Sequence, residues 1–213
     1  MISEFQITGP AGREQASLLL AHGAGAPMDS DFMTLLADRL ARQSIRVLRF
    51  EFPYMAERRQ GGSRRPPNPM PVLLDSFREH HRAALGAGPL FIGGKSMGGR
   101  VASLLADELG AAGLLCFGYP FHPPGKPERT RTEHLAELST PALVVQGTRD
   151  PLGKPEEVAG YALSSQIQLS WLDTGDHDFK PLKRSGLTQA ELIDQAAQRA
   201  AAFMQALDPS ISQ

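Results

Sequence analysis

The sequence predicts an α/β protein, with a mostly parallel sheet of about seven strands and helices on both faces. Short β-rich runs alternate along the chain with longer helical patterns, as successive βα units require. Several of these runs, such as "SLLLA" at 17–21 and "ALVVQ" at 142–146, are almost uninterrupted apolar stretches. Strands covered on both faces have that character. The chain has 213 residues, 41% of them hydrophobic, enough for a substantial core in one domain spanning 1–213.

The strands are expected at 4–8, 17–21, 45–50, 90–93, 113–117, 142–146 and 167–171. Helical patterns lie between them, near 31–43, 73–84, 99–108, 156–163 and 188–207. No internal repeat interrupts the series. Two segments read as irregular: 53–71, rich in Pro, Gly and Arg, and 118–132, which carries four prolines. Loops of such length in a compact domain are usually functional or mobile.

Lys and Arg number 22 and Asp and Glu 23, a formal net charge of −1. This balance supplies no electrostatic reason to expect nucleic acid or an anionic membrane as partner. The single cysteine, Cys116, excludes an internal disulfide framework and fits a reducing compartment; its apolar surroundings point to a buried, inert thiol. "MISEFQITGP" shows no basic segment followed by an apolar run, and no apolar stretch is long enough to span a bilayer. A cytoplasmic location is the expectation.

The stretch "FIGGKSMGGR" at 91–100 admits two chemistries. Its Gly94-Lys95-Ser96 matches the end of a phosphate-binding Walker A loop, but that motif needs glycine at position 89, which is Pro89. Residues 90–92, Leu-Phe-Ile, read as a buried strand rather than a phosphate cradle. Read as G-x-S-x-G between a strand and a helix, the stretch is a turn that presents a nucleophilic Ser96. Gly94 and Gly98 leave room for strand and helix to close on each other, and the helix N-terminus faces a developing anion.

A serine hydroxyl needs a base and an orienting carboxylate. "GTRDP" after the strand at 142–146 supplies Asp150, and "LDTGDHDF" after the strand at 167–171 supplies His177. Loops at the carboxyl ends of parallel strands converge on one crevice. Asp173, Asp176 and Asp178 read as turn-makers. His80, His81 and His134 read as surface residues, and no histidine has metal-ligand spacing, so neither metal nor cofactor is expected. After 17–21 comes "HGAGA", whose small residues allow close approach of backbone N–H groups to a substrate oxygen. The N–H groups of Ala24 and Met97 are the expected oxyanion donors. His22 is expected to hold that loop, and Gly23 and His122 to line the substrate.

Together, "LLLAHGAGA", "FIGGKSMGGR", "VVQGTRDP" and "GDHDF" resemble the small α/β-hydrolases labelled dienelactone-hydrolase-like. With "GYPFHPPGKPE", the likeness extends to the subgroup that contains a testis-expressed human protein and a subunit of a histone-acetylating complex. The resemblance implies a cap-less α/β-hydrolase fold with Ser96, Asp150 and His177 as catalytic triad. Dienelactone hydrolases proper carry cysteine at the elbow, so Ser96 points away from that substrate. The expected activity is hydrolysis of small or extended carboxylic esters through an acyl-enzyme. The competing readings are a catalytically silent hydrolase fold that binds a partner, and a thioesterase or peptidase using the same residues. Arg58, Arg59, Arg64 and Arg65 read as a solvated basic surface or an attractor of acidic substrates. Phe32, Trp171 and Phe179 read as core or acyl pocket.

Overall fold

The computed structural model describes residues 4–11, 16–63 and 65–212. Seven strands form one sheet in the order β1-β3-β2-β4-β5-β6-β7. They are β1 (Gln6–Thr8), β2 (Ser17–Ala21), β3 (Arg46–Phe50), β4 (Leu90–Lys95), β5 (Leu114–Phe117), β6 (Ala142–Gly147) and β7 (Ile167–Leu172). All neighbours pair parallel except β1, which runs antiparallel to β3. The five central strands are buried throughout, including Arg46 and Arg49 of β3 among otherwise mostly apolar residues, and the edge strands β1 and β7 are partly exposed.

Alternation along the strands divides the core into two layers. On one face Leu18, Leu20 and Phe91 pack with Met33, Leu36 and Leu40 of helix α1 (Asp31–Ala41), and with Leu192 and Met204 of the C-terminal helix Gln189–Leu207. On the other, Leu19, Leu48 and Ile92 pack with Leu73 and Phe77 of a helix over Met70–Ala84, and with Val101 and Leu105 of a helix over Met97–Leu105. Burying each such side chain contributes roughly 1.5–3 kcal/mol. Thr188 caps the C-terminal helix: its hydroxyl accepts from the Glu191 N–H (3.2 Å), and the Glu191 carboxylate accepts from the Thr188 N–H (2.7 Å).

The segment 53–71 is more regular than its composition predicts. It contains helix α2 (Pro53–Arg59) and the start of α3 (Met70–Ala84), and each has proline in its first turn, where a missing N–H costs nothing. The Asn68 side chain accepts the Tyr54 N–H at 2.8 Å and fastens the two starts together. The following helices are α4 (Met97–Leu105), α5 (Pro155–Val158) and α6 (Gln189–Leu207). The connection from β5 to β6 holds only a single 3₁₀ turn, Glu133–Leu135, and no cap domain. Among the described residues no helix is long and apolar enough to cross a membrane.

Three histidines expected at the surface are not there. His80 and His81 are 1% and 7% exposed. Helix α3 is flanked by both the sheet and α4, so two adjacent positions can be buried together. His80 stacks on Phe50 with centroids 4.1 Å apart, and its Nδ1 reaches the Ser76 carbonyl at 2.7 Å. His134 is half-buried, with Nε2 2.8 Å from Ser103 Oγ. That hydroxyl already donates to the Arg100 carbonyl, so the ring nitrogen is the donor.

Candidate active site

The turn between β4 and α4 places Ser96 at φ 52° and ψ −116°, a left-handed conformation that strains a residue with a β-carbon. The flanking glycines make the turn possible. A β-carbon on Gly98 would lie 2.6 Å from the carbonyl oxygens of both Ala21 and His22, and one on Gly94 would lie 2.5 Å from the Gly98 backbone. The Ser96 N–H donates to the Phe117 carbonyl (3.0 Å), tying the apex to β5.

Residues far apart in sequence meet there. His177 Nε2 lies 2.9 Å from Ser96 Oγ, and His177 Nδ1 lies 2.7 Å from Asp150 Oδ2. Asp150 is fully buried; its Oδ2 also accepts from the Gln146 amide (2.9 Å) and its Oδ1 from the Leu152 N–H (2.9 Å). A carboxylate only accepts, so Nδ1 carries the proton and Nε2 is left to accept from the serine hydroxyl. The loop that carries His177 is shaped by Asp176, whose side chain accepts the N–H groups of Asp178 and Lys180, both at 2.9 Å.

The "HGAGA" loop follows β2 directly. His22 is fully buried; its Nδ1 donates to the Gly23 carbonyl (2.7 Å) and its Nε2 accepts the Phe52 N–H (3.1 Å). Burial holds its pKa below the ordinary histidine value, in keeping with a neutral ring that donates from one nitrogen and accepts at the other. The Tyr54 hydroxyl donates to the Ala24 carbonyl at 2.9 Å and fixes the next residue. Among the described residues, neither the Ala24 N–H nor the Met97 N–H donates to a protein acceptor. Both residues, with Ser96, line a hollow of about 320 Å³.

A second hollow, of about 380 Å³, opens on the other side of Ser96 and is lined by Gly23, Phe32, Lys95 and His177 among others. Lys95 is only 6% exposed; its Nζ lies 3.5 Å from Asp178 Oδ1 and 5.4 Å from the Phe32 ring centre. Burial lowers the Lys95 pKa, against the opposing pull of Asp178 and Asp150. Phe179 is core, Trp171 packs half-buried against the other layer, and only Phe32 of the three reaches this hollow.

His122 does not reach either hollow. It is 1% exposed, with Nδ1 at the Pro123 carbonyl (2.8 Å) and Nε2 3.3 Å from the Glu157 carboxylate. The ring is consumed in fastening the segment after β5 to α5. Arg59 is likewise committed, its guanidinium bridging Asp29 and Glu51 at 2.7–2.9 Å. Arg65 lies 3.5 Å from Glu57, and Arg64 is outside the described residues. No group of three potential metal ligands occurs among the described residues. Sequence reasoning missed Gln146, whose apolar strand hides it, and Lys95, Arg100 and Arg131, which no motif marks as lining the cleft.

The family described as Alpha/beta hydrolase domain matches residues 14–205. The chain belongs to that family. Solved structures of similar shape include a dienelactone hydrolase from Anabaena variabilis (TM-score 0.72, 19% identity, 94% of this chain and 89% of that one). The esterase domain of a Rhodothermus marinus protein gives a TM-score of 0.69 at 17% identity, with 97% of each chain covered. A serine hydrolase without lid from Xanthomonas campestris gives 0.64 at 18% identity, covering 99% of this chain and 93% of that one. At these identities the likeness concerns the fold of this alpha/beta hydrolase.

Proposed function

We propose that the protein is a serine hydrolase that cleaves carboxylic esters through an acyl-enzyme. The observation that carries the reading is the continuous set of contacts from Asp150 to His177 to Ser96, at 2.7 and 2.9 Å. Ser96 Oγ attacks the ester carbonyl and gives its proton to His177 Nε2, while Asp150 stabilises the imidazolium. The Ala24 and Met97 N–H groups stabilise the tetrahedral oxyanion, each such donor contributing about 10²–10³ in turnover. The imidazolium protonates the departing alcohol, and water, deprotonated by the same ring, releases the acid and restores Ser96.

The contact of Ser96 with a base that itself meets a buried carboxylate supports turnover over a silent binding role, since partner recognition alone needs no such alignment. The cap-less cleft supports small or extended esters. The motifs shared with the testis-expressed and histone-acetylating-complex subgroup support membership there, within the dienelactone-hydrolase-like group.

Labelling with a fluorophosphonate probe, together with a panel of p-nitrophenyl esters and thioester and peptide controls, tests the reading. Labelling of the wild type and its loss in Ser96→Ala is the expected result. Equal labelling of the mutant rejects Ser96 as nucleophile, and faster cleavage of thioester or peptide reassigns the substrate class.

A further inference from the structure

Arg100 and Arg131 both line the 320 Å³ hollow that contains Ser96 and Met97. Two arginines near the cleft have partners: Arg59 holds two carboxylates, and Arg49 donates to the Met28 carbonyl and two threonine hydroxyls. Arg100 and Arg131 differ. Among the described residues neither guanidinium forms an ion pair or donates a side-chain hydrogen bond, and Arg100 Nε is buried with no acceptor at all. Among the described residues no Asp or Glu lines the hollow; its other walls are apolar or neutral, among them Asn68, Met70, Pro120 and Leu152. Two half-buried like charges facing one cavity without an acid are incomplete, because desolvation and mutual repulsion both oppose them. Both effects press the Arg131 pKa down, and burial, joined by the Arg100 charge, lowers that of His134.

The backbone that carries each side chain is also fixed, that of Arg100 directly to Ser96. Arg100 stands one helical turn beyond Ser96 on α4, its N–H bonded to the Ser96 carbonyl at 3.1 Å. Arg131 is fixed through its backbone: its N–H donates to the Phe121 carbonyl (2.8 Å), and its carbonyl accepts from the Tyr119 hydroxyl (3.0 Å). The two Pro-rich segments wall the same hollow through Pro67, Pro120 and Pro124. Their length and stiffness acquire a purpose there.

We propose that this hollow is an anion subsite in which Arg100 and Arg131 hold a carboxylate carried by the substrate. Resting on the esterase reading above, the substrate class narrows to esters with a second, free carboxylate, such as half-esters of short dicarboxylic acids. A guanidinium meets a carboxylate through parallel N–H donors, which gives orientation as well as attraction. The free acid end is clamped beyond Met97 while the ester carbonyl lies over Ser96.

Two measurements on the full-length protein test the inference. The first is binding of glutarate by calorimetry to Ser96→Ala protein, which needs no turnover. Binding that weakens about 10- to 100-fold in Arg100→Gln and in Arg131→Gln is expected, the scale for losing a charge-assisted contact. The second is the ratio of kcat/KM on mono-4-nitrophenyl glutarate to that on 4-nitrophenyl valerate. In the wild type the ratio should exceed one and shrink as salt is raised, and it should fall about 10-fold or more in either variant. Absence of glutarate binding together with a wild-type ratio near one overturns the subsite, whether or not the variants fold. A preference for the matching phosphonate ester over the glutarate ester overturns the assignment to carboxylate. If glutarate binds through these arginines but no ester is cleaved, the hydrolase reading fails and the subsite stands.

Discussion

The side-chain amide of Gln146 donates to Oδ2 of Asp150 at 2.9 Å, the same oxygen that lies 2.7 Å from Nδ1 of His177. Gln146 is fully buried at the end of β6, and its own carbonyl accepts the Tyr119 N–H at 2.7 Å. The orienting carboxylate is therefore itself oriented. Gln146→Leu should lower kcat about 10- to 100-fold with KM little changed, because a small displacement of the relay is costly in the transition state. It should also destabilise the fold by about 1–3 kcal/mol through the orphaned Tyr119 N–H. Steady-state kinetics beside a denaturant titration separates the two effects.

Ser96→Gly and Ser96→Ala should both remove ester hydrolysis yet differ in stability. Glycine relieves a backbone strain of about 1–3 kcal/mol, less about 0.5–1 kcal/mol for its greater freedom when unfolded. A gain of roughly 2–6 °C in Tm is expected for Ser96→Gly in a domain of this size. Ser96→Ala keeps its β-carbon and should gain little. Thermal melts of the two variants side by side decide the matter.

Gly98→Ala should destabilise the protein and impair turnover together. Its new methyl would meet the Ala21 and His22 carbonyl oxygens at 2.6 Å, so α4 must back away from the loop after β2. That motion separates the Met97 and Ala24 N–H groups. A loss of about 1–3 kcal/mol is expected, even though alanine is otherwise the better helix former by about 1 kcal/mol. A fall in turnover of about 10² accompanies it if one donor is misplaced.

Acid lability is expected from three histidines. Burial lowers the pKa of His22, His81 and His134 from the ordinary value of 6.5. The unfolded chain then binds protons that the native rings refuse. Their contribution to stability is complete above pH 6.5 and declines as pH falls through 6.5 toward the lowered native values. The limit is about 1.4 kcal/mol per pH unit for each ring. Asp29 and Glu108, held down chiefly by Arg59 and Arg78, lose stability only below the carboxylate range, so the two windows separate. Unfolding midpoints at pH 7.5, 6.5 and 5.5 should fall, and fall less in His22→Gln. A flat profile removes the assignment.

What the sequence made legible follows from how local each signal is. β2, β4 and β6 are readable because a strand buried on both faces is apolar along most of its length, even where one polar residue such as Gln146 or Lys95 is buried near its end. The Ser96 turn was readable because close packing excludes side chains at 94 and 98. Helix α2 and the early start of α3 are hidden in a segment whose Pro, Gly and Arg content reads as irregular, whereas Pro53 and Pro71 occupy first turns. The helical pattern at 156–163 is cut short in the structure: α5 begins at Pro155 and ends at Val158, before Gly160. The burial of His80 and His122, and the meeting of Arg100 with Arg131, depend on which elements lie side by side. No local pattern encodes that.

Ser96 sits where two unlike hollows meet, one bearing Lys95 and Phe32, the other Arg100 and Arg131. A molecule laid across Ser96 is therefore not equivalent to the same molecule reversed. For an unsymmetrical diester, hydrolysis should be regioselective: one linkage is cut and the other leaves intact as the mono-acid. The fold thus imposes a heading on whatever occupies it, through nothing more than the different company kept by the two sides of a single turn.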